Sequence, residues 1–552
     1  MNVEQTANPP SVARLSERFY RASPWLLAGL SGVLAALAFP LPGWSVLAWL
    51  APGLLWVTSL GKTGGQSFRL GYVSGLVQFL ISLRWLLNIP FPSGAIAAWL
   101  ALSGYCALFF GAWLWVAGVG FRVITGGTMP GNWNAAAKVV AESSWIRRFF
   151  LWLGIAVSWA GLEFMRGWFL SGFPWNFYGV TQWENAPLIQ VAAVTGVFGV
   201  SFLVCWVSVA LFGALLSVRR PGGNRWAWTA DLRIPLIVLL IVLGIGFRRL
   251  MQAPDPGPPV RLALVQPSIP QTLIWDDEAN PARFAKVFDL TRAALSARPD
   301  ALIWPEGSMP DLTDEQFTAV TNETQRARAW WILGTGYGRL VDGRPEHYNA
   351  ALLVNPAGRV VDRYHKRRLV IFGEFIPFEN TLPFMKWLTP IGSSFTPGRG
   401  PAAFRFGPAT NTVASPVICF EDMFPDSTRA HVTPETDFLV ELTNNGWFGE
   451  SSAHWQHCAG AAFRAVENGV PLVRCANNGL TCWLDEFGRL RDLLGRHGAE
   501  YAPGVLITQV PQRPDGAPRS LTFYHRYGDV FGWSCLAITA VLAGIGCRRA
   551  RS

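Results

Sequence analysis

Val417-Ile418-Cys419-Phe420-Glu421-Asp422 is an apolar run that ends directly on a thiol and two carboxylates. β-Branched residues suit a pleated, buried backbone, and in layered α/β domains sites are built where such strands end in polar side chains. Two further strings share the pattern, Trp304-Pro305-Glu306 and Tyr364-His365-Lys366-Arg367. Singly, each has an ordinary explanation. A cysteine after a β-branched run packs as a small hydrophobe. Glu306 after a turn-forming proline is a solvated or salt-bridged carboxylate, and Lys366 in the basic run His365 to Arg368 is a surface charge. Together they supply the parts of covalent acyl chemistry. Cys419 is the nucleophile, Glu306 the base if partial burial raises its basicity, and Lys366 with the Phe420 backbone N–H the holder of a developing oxyanion.

Around these strings, from Gln252 to about Arg519, short strand-like runs alternate with polar helical segments. Strands are expected at Arg261 to Gln266, Ala301 to Pro305, Trp331 to Tyr337, Ala350 to Val354, Val413 to Phe420, Asp437 to Thr443 and Pro471 to Ala476. Helices are expected at Pro281 to Ser296, Thr313 to Ala329 and Ala453 to Asn468, with hairpin turns at Pro356-Ala357-Gly358 and Glu486-Phe487-Gly488. That alternation predicts an α/β layered domain.

The flanks are different. The chain has 552 residues, 51% of them apolar and 15% charged, with 27 Trp and 36 Phe. Stretches long enough to cross a bilayer, at about 17 to 25 residues, occur at Trp25 to Leu41, Trp44 to Leu60, Leu70 to Ile89, Ala95 to Phe121, Phe150 to Leu170, Val191 to Val218 and Val530 to Cys547. Ile234 to Phe247 is short and bracketed by Arg233 and Arg248, so it spans only if those side chains snorkel. The expected architecture is an α-helical membrane bundle of about eight transmembrane helices carrying an extramembrane α/β domain. Residues 1–251 hold helices one to seven, 252–519 the catalytic domain, and 520–552 helix eight and a tail.

The net charge of +10 lies mostly in segments beside apolar runs. It therefore reads as membrane topology and argues against a nucleic-acid partner. The positive-inside rule places Arg14, Arg18 and Arg21, then Lys62 and Arg69, then Arg122, Lys138, Arg147 and Arg148, then Arg219, Arg220, Arg225 and Arg233, then Arg548, Arg549 and Arg551 on the cytoplasmic face. Both termini are then inside and the α/β domain outside, with Arg248 and Arg249 a local violation. The first apolar run is followed at once by another, which predicts a retained span and not a cleaved signal. The eight cysteines, at 106, 205, 419, 458, 475, 482, 535 and 547, form no paired framework.

In the order Glu306, Lys366, Cys419, the three strings resemble the nitrilase superfamily, whose catalytic triad is Glu-Lys-Cys; the resemblance implies an αββα sandwich. The segment Lys366-Arg367-Arg368-Leu369-Val370-Ile371-Phe372-Gly373-Glu374-Phe375-Ile376-Pro377 is similar to the lysine motif of the apolipoprotein N-acyltransferase family, in which Glu374 matches a second essential glutamate. Ala263-Leu264-Val265-Gln266 with Pro270-Gln271, Asn444 to Gly449 and Ala476-Asn477-Asn478-Gly479 also match, as do Arg166-Gly167-Trp168 and Ser171 to Trp175 in the membrane half. Many members carry Tyr where this chain has Phe420, whereas Glu421 keeps the family's acidic residue.

The resemblance implies a bacterial inner-membrane enzyme with its catalytic domain in the periplasm. It would take the sn-1 acyl chain of a phosphatidylethanolamine-like phospholipid onto cysteine and pass it to the α-amino group of a diacylated apolipoprotein. No cofactor is expected. Trp175 and Trp447 are candidate substrate contacts, and Trp175, Tyr178 and Trp183 also fit a plain aromatic belt.

Other signals are weaker. Glu163 and Arg166 share a helix face, as an ion pair or as a headgroup contact. His454, His457 and Cys458 have helical spacing without a fourth ligand, so no metal is expected. Gly334-Thr335-Gly336-Tyr337-Gly338 lacks the following helix of a phosphate loop and reads as a strand-end turn. Two rival functions remain, a membrane-tethered nitrilase-type hydrolase and a transporter with a soluble domain. The first is disfavoured by the multi-span bundle, the second by the scarcity of charge in the spans beyond Arg84, Glu163 and Arg166.

Overall fold

A computed structural model describes residues 10–124, 131–218, 229–252, 257–379, 381–389, 391–407, 411–495 and 499–549. The basic residues Arg219, Arg220, Arg225 and Arg551 lie outside the described residues.

Among the described residues, twelve strands form the α/β part: β1 (Pro259–Gln266), β2 (Ala301–Trp304), β3 (Trp330–Val341), β4 (Arg344–Val354), β5 (Val360–His365), β6 (Phe404–Phe406), β7 (Thr412–Ile418), β8 (Phe438–Thr443), β9 (Leu472–Ala476), β10 (Cys482–Leu484), β11 (Leu490–Leu493) and β12 (Gly504–Pro511). They make two six-stranded sheets, ordered β12-β1-β2-β3-β4-β5 and β11-β10-β9-β8-β7-β6. In each sheet three parallel strands, β1-β2-β3 and β7-β8-β9, are flanked by antiparallel ones. The parallel strands need both faces covered, and β2, β7, β8 and β9 are buried at every residue. Leu262, Ile303 and Ile332 of one sheet meet Ile418, Val440 and Val473 of the other in one core. Helices Asn280–Leu295 and Asp314–Ala327 cover the outside of the first sheet. Both expected hairpin turns join neighbouring strands, β4 to β5 and β10 to β11.

The outer layer of the second sheet is unusual. Helix Ala453–Asn468 is buried at every position except Trp455. One side packs on the sheet through Val417, Leu439 and Leu472, and its Ala462, Phe463 and Val466 share a single apolar cluster with Val197, Val200 and Leu203 of the helical half. A helix covered on two sides cannot show the single apolar stripe of a surface helix, and here the α/β layer and the bundle share one core. Polar contacts reinforce the seam: Glu467 Oε1 accepts from the Val197 N–H at 2.9 Å, and Gln190 Nε2 donates to the Phe487 carbonyl at 3.0 Å.

Among the described residues, four helices are long and apolar enough to cross a membrane: Pro92–Arg122, Trp145–Arg166, Val197–Val218 and Ala230–Met251. The weak stretch Ile234 to Phe247 is thus the middle of a 23-residue helix, Thr229–Met251, whose ends include the flanking arginines. Trp44 to Leu60 differs from a single span. It divides into a 3-10 turn, Ser45–Trp49, and an eight-residue helix, Ala51–Thr58, and at 1.5 Å per residue that helix covers only about 12 Å. The remaining stretches fall in helices Pro10–Leu37, Gly64–Ser82 and Val530–Arg549.

One buried ion pair in the bundle carried no sequence signal. Arg148 Nε contacts Asp231 Oδ1 at 2.7 Å, and Trp152 Nε1 donates to the same oxygen at 3.1 Å. Glu163 and Arg166 lie 4.0 Å apart, and Arg166 also donates to the carbonyls of Phe173 and Trp175, both at 2.8 Å, and of Asn176 at 3.2 Å. With its guanidinium held by three carbonyls and 2% exposed, Arg166 clasps the loop that carries Trp175, which favours a structural role over a headgroup contact.

Candidate active site

The polar residues gather at strand ends, where a parallel sheet leaves backbone groups and side chains free of the ladder. Glu306 follows β2, Lys366 follows β5, Cys419 follows β7 and Asn444 follows β8. Lys366, 1% exposed, places Nζ 3.1 Å from Glu306 Oε1 and 2.8 Å from Glu374 Oε1. The same two oxygens accept from Asn349 Nδ2 at 2.6 and 2.7 Å. Each carboxylate has a further tether: Asn444 N–H to Glu306 Oε2 at 3.0 Å, and Val370 N–H to Glu374 Oε2 at 2.9 Å. Burial alone lowers the affinity of Lys366 for its proton. The negative charges of Glu306 and Glu374 override that and hold its pKa well above the ordinary lysine value, so the ammonium is charged.

Cys419 is half-buried, with φ of +51° in the left-handed region at the first residue of the 3-10 turn Cys419–Met423. A non-glycine residue costs energy there, and the strain turns the side chain out of the strand line. Burial raises the thiol's pKa and the charge of Glu306 raises it further; Lys366 and a hydrogen bond with Thr443 pull it back only in part. The resting group is therefore a thiol. A cavity of about 570 Å³ is lined by Glu306, Glu374, Asn349, Asn444, Trp447 and Trp275 among others. Lys366 and Cys419 are not part of its wall.

Glu421 is fully buried and bolts the two strand ends together. Its Oε1 accepts from the Arg367 and Arg368 N–H groups at 2.7 and 3.0 Å, its Oε2 accepts from the Ile418 N–H at 2.8 Å, and both oxygens take the Tyr364 hydroxyl at 2.8 Å. Burial pushes this carboxyl's pKa up, and the backbone N–H groups with Lys366 offset that in part. In Glu421→Gln one of these N–H groups faces an amide donor, so the variant is expected to lose about 1–3 kcal/mol of stability, which thermal unfolding in detergent measures.

Phe420 is half-buried and stacks on Trp175, 6.2 Å between centroids, beside Phe173 and Phe424. Trp175 is 2% exposed, its Nε1 donating to Gln456 Oε1 at 2.8 Å, so it stands behind Phe420 as a wall and not in open space. Trp447 is half-buried.

The trio His454, His457 and Cys458 is not brought together. His454 Nε2 pairs with the Gly449 carbonyl at 2.6 Å and Cys458 Sγ lies 3.9 Å from Cys482 Sγ. His457 instead joins Asp422 and Glu441, whose ligand atoms lie within 4.8 Å of one another. Arg474 takes the cation's place there, Nη1 2.5 Å from Glu441 Oε2 and Nη2 2.8 Å from His457 Nδ1. Asn349, which bridges both carboxylates, was not singled out from the sequence; the only signal is an amide standing just before the apolar run Ala350 to Val354.

Residues 31–210 match the family model described as apolipoprotein N-acyltransferase N-terminal domain, and residues 261–510 match carbon-nitrogen hydrolase. An apolipoprotein N-acyltransferase from Geobacter metallireducens is 34% identical over 531 residues, covering 95% of each chain. One from Vibrio cholerae is 30% identical over 555 residues, covering 97% of this chain and 99% of that one. Among solved structures, an amidase from Nesterenkonia sp. AN1 aligns over 47% of this chain and 92% of its own, with 19% identity and a TM-score of 0.35. A carbon-nitrogen hydrolase sandwich fused to a matching membrane half, in a sequence alike from end to end, means that this chain belongs to the apolipoprotein N-acyltransferase family.

Proposed function

We propose that Cys419 takes the sn-1 acyl chain of a phosphatidylethanolamine-like phospholipid as a thioester and passes it to the α-amino group of an N-terminal S-diacylglyceryl cysteine. Glu306 takes the thiol proton as sulfur attacks the ester carbonyl. The oxyanion falls to Lys366 and to the Phe420 N–H, which belongs to the first turn of a short helix and so lacks an intrahelical acceptor. Collapse of the tetrahedral adduct expels the glycerol oxygen, which recovers the proton from Glu306 and leaves as lysophospholipid. The acceptor's neutral amine then attacks the thioester, and its proton returns through Glu306 to the leaving sulfur. The carboxylate edges of Glu306 and Glu374 on the cavity wall suit the approach of an ammonium before it gives up its proton.

The observation that carries this reading is the charged Lys366 held between two carboxylates beside a thiol whose proton must be removed. The membrane half explains the substrates. Each CH₂ kept out of water is worth about 0.8 kcal/mol, so both lipids react with their chains in the bilayer. Residues 1–251 and 520–552 would then lie in or across the inner membrane with both termini cytoplasmic, and 252–519 on the periplasmic side, as the basic segments suggest.

Incubation of the purified chain with labelled phosphatidylethanolamine vesicles and a diacylglyceryl-cysteinyl peptide is expected to give a hydroxylamine-sensitive acyl-enzyme, then an N-acyl peptide. Label appearing only as free fatty acid would mean that water is the acceptor and the chain a hydrolase.

A further inference from the structure

The side-chain amide of Gln456, 2% exposed in the shared layer between sheet and bundle, has six hydrogen-bond partners. Its Oε1 accepts from Trp85 Nε1 at 3.1 Å, Trp175 Nε1 at 2.8 Å and Asn176 Nδ2 at 3.3 Å. Its Nε2 donates to the carbonyls of Pro40 at 3.1 Å and Ser82 at 3.2 Å, and to Ser452 Oγ at 3.2 Å. Only Ser452 is local. The other five come from three separate places in the helical half: the chain after helix Pro10–Leu37, the end of helix Gly64–Ser82, and the loop after helix Trp145–Arg166. Gln456 is thus one side chain of the α/β part that bonds to three separate segments of the helical half.

The contact leads on to the nucleophile. Trp175, bonded to Gln456, stacks on Phe420 at an interplanar angle of 26° and lies 5.2 Å from the ring of His457. Trp85, bonded to the same oxygen, packs 4.9 Å from Trp175 and 4.4 Å from Phe448. His457 in turn holds Asp422, three residues after Cys419, at 2.6 Å. We propose that Gln456 is a positioning residue that sets Cys419 in register with the bilayer, so that the ester carbonyl of a membrane-held lipid arrives at the sulfur. Only an amide meets the demand, because the site needs an acceptor for two indoles and a donor for two carbonyls at the two ends of one side chain. A glutamate would turn a second oxygen toward the Pro40 and Ser82 carbonyls, and a methionine would fill the volume and leave all of these groups unpaired.

This inference rests on the thioester chemistry proposed above, and the test separates the two. The full chain and its Gln456→Glu variant are each given phospholipid in vesicles and, separately, a water-soluble p-nitrophenyl ester that reaches Cys419 without bilayer register. A misplacement of about 1 Å costs on the order of 100-fold in a positioned reaction. The expected result is a 10- to 100-fold slower acylation from vesicle lipid with the soluble-ester burst within about threefold of the parent, and partial recovery of lipid acylation in Gln456→Asn. Equal losses on both esters would show a general structural role, and no loss on either would show that the contacts are idle; both overturn the inference. Should Gln456→Glu not fold, Trp85→Phe removes one of the indole donors and leaves a phenyl ring in its place, and the same divergence between the two esters is required. A parent chain that takes no acyl group from phospholipid would sink the thioester reading itself.

Discussion

Cys419→Ser is expected to form no acyl-enzyme from phospholipid and to lose at least about a thousandfold in turnover, since removing the nucleophile of a covalent mechanism costs this much or more. The size of the effect follows from the environment of the sulfur. Burial and the charge of Glu306 already raise the thiol's pKa, so a carboxylate base already has a demanding proton to remove. A hydroxyl starts several units higher still and is out of its reach. The variant is nonetheless a fair test, because serine has the same shape at the left-handed Cys419 backbone, and Glu421 still ties Ile418 to Arg367 and Arg368. Unfolding in detergent should move by less than about 1 kcal/mol, which assigns the loss to chemistry. Intact mass after incubation with phospholipid vesicles is the measurement. An acyl adduct persisting on Cys419→Ser, stable to neutral hydroxylamine, would mean that another side chain carries the acyl group.

The strands that hold Cys419 and its neighbours were legible because they are buried on both faces and so read as largely apolar runs: Val413 to Phe420, Asp437 to Thr443 and Pro471 to Ala476 coincide with β7, β8 and β9 to within two residues at either end. Helix Ala453–Asn468 coincides with its expectation at both ends, since the break Asn468-Gly469 gives a left-handed stop. β5, β6, β10, β11 and β12 did not show in the sequence. β5 mixes half-buried and exposed residues around a single buried one, Tyr364, and β6 and β10 are three residues long. Such strands are defined by partners far away in sequence and not by local pattern. The same limit applies to the site. Glu306, Lys366 and Cys419 each end an apolar run and could be picked out, whereas Asn349 and Gln456 act through contacts that exist only once the sheets and the bundle have come together. The short helix Ala51–Thr58 was lost for the opposite reason, in that hydropathy measures the apolar length of Trp44 to Leu60 and is blind to the turn inside it.

Lys366→Met should be the most damaging substitution in the site, because it removes a charge on which stability and rate both depend. In the native fold the ammonium lies between Glu306 and Glu374. Its folded pKa is held above the unfolded value, so its contribution is complete at every pH below the ordinary lysine range and is lost only as pH rises beyond it. Methionine fills much of the space and leaves two carboxylates sharing Asn349 with no cation between them. Breaking a buried ion pair in this way costs about 3–5 kcal/mol, and like charges that close force one carboxylate to take up a proton. The folded pKa of that group then exceeds the unfolded value of about 4.3, so the folded variant binds the extra proton and its stability falls as pH rises from about 5 to 7. The thermal midpoint of Lys366→Met should accordingly recover on acidification relative to that of the native chain followed in parallel. The thiol meanwhile loses the cation that pulled its pKa down, so alkylation of Cys419 should slow together with acylation from phospholipid. A variant whose Cys419 alkylates at the native rate, with a midpoint that follows the native chain's between pH 5 and 7, would place the working charge somewhere other than residue 366.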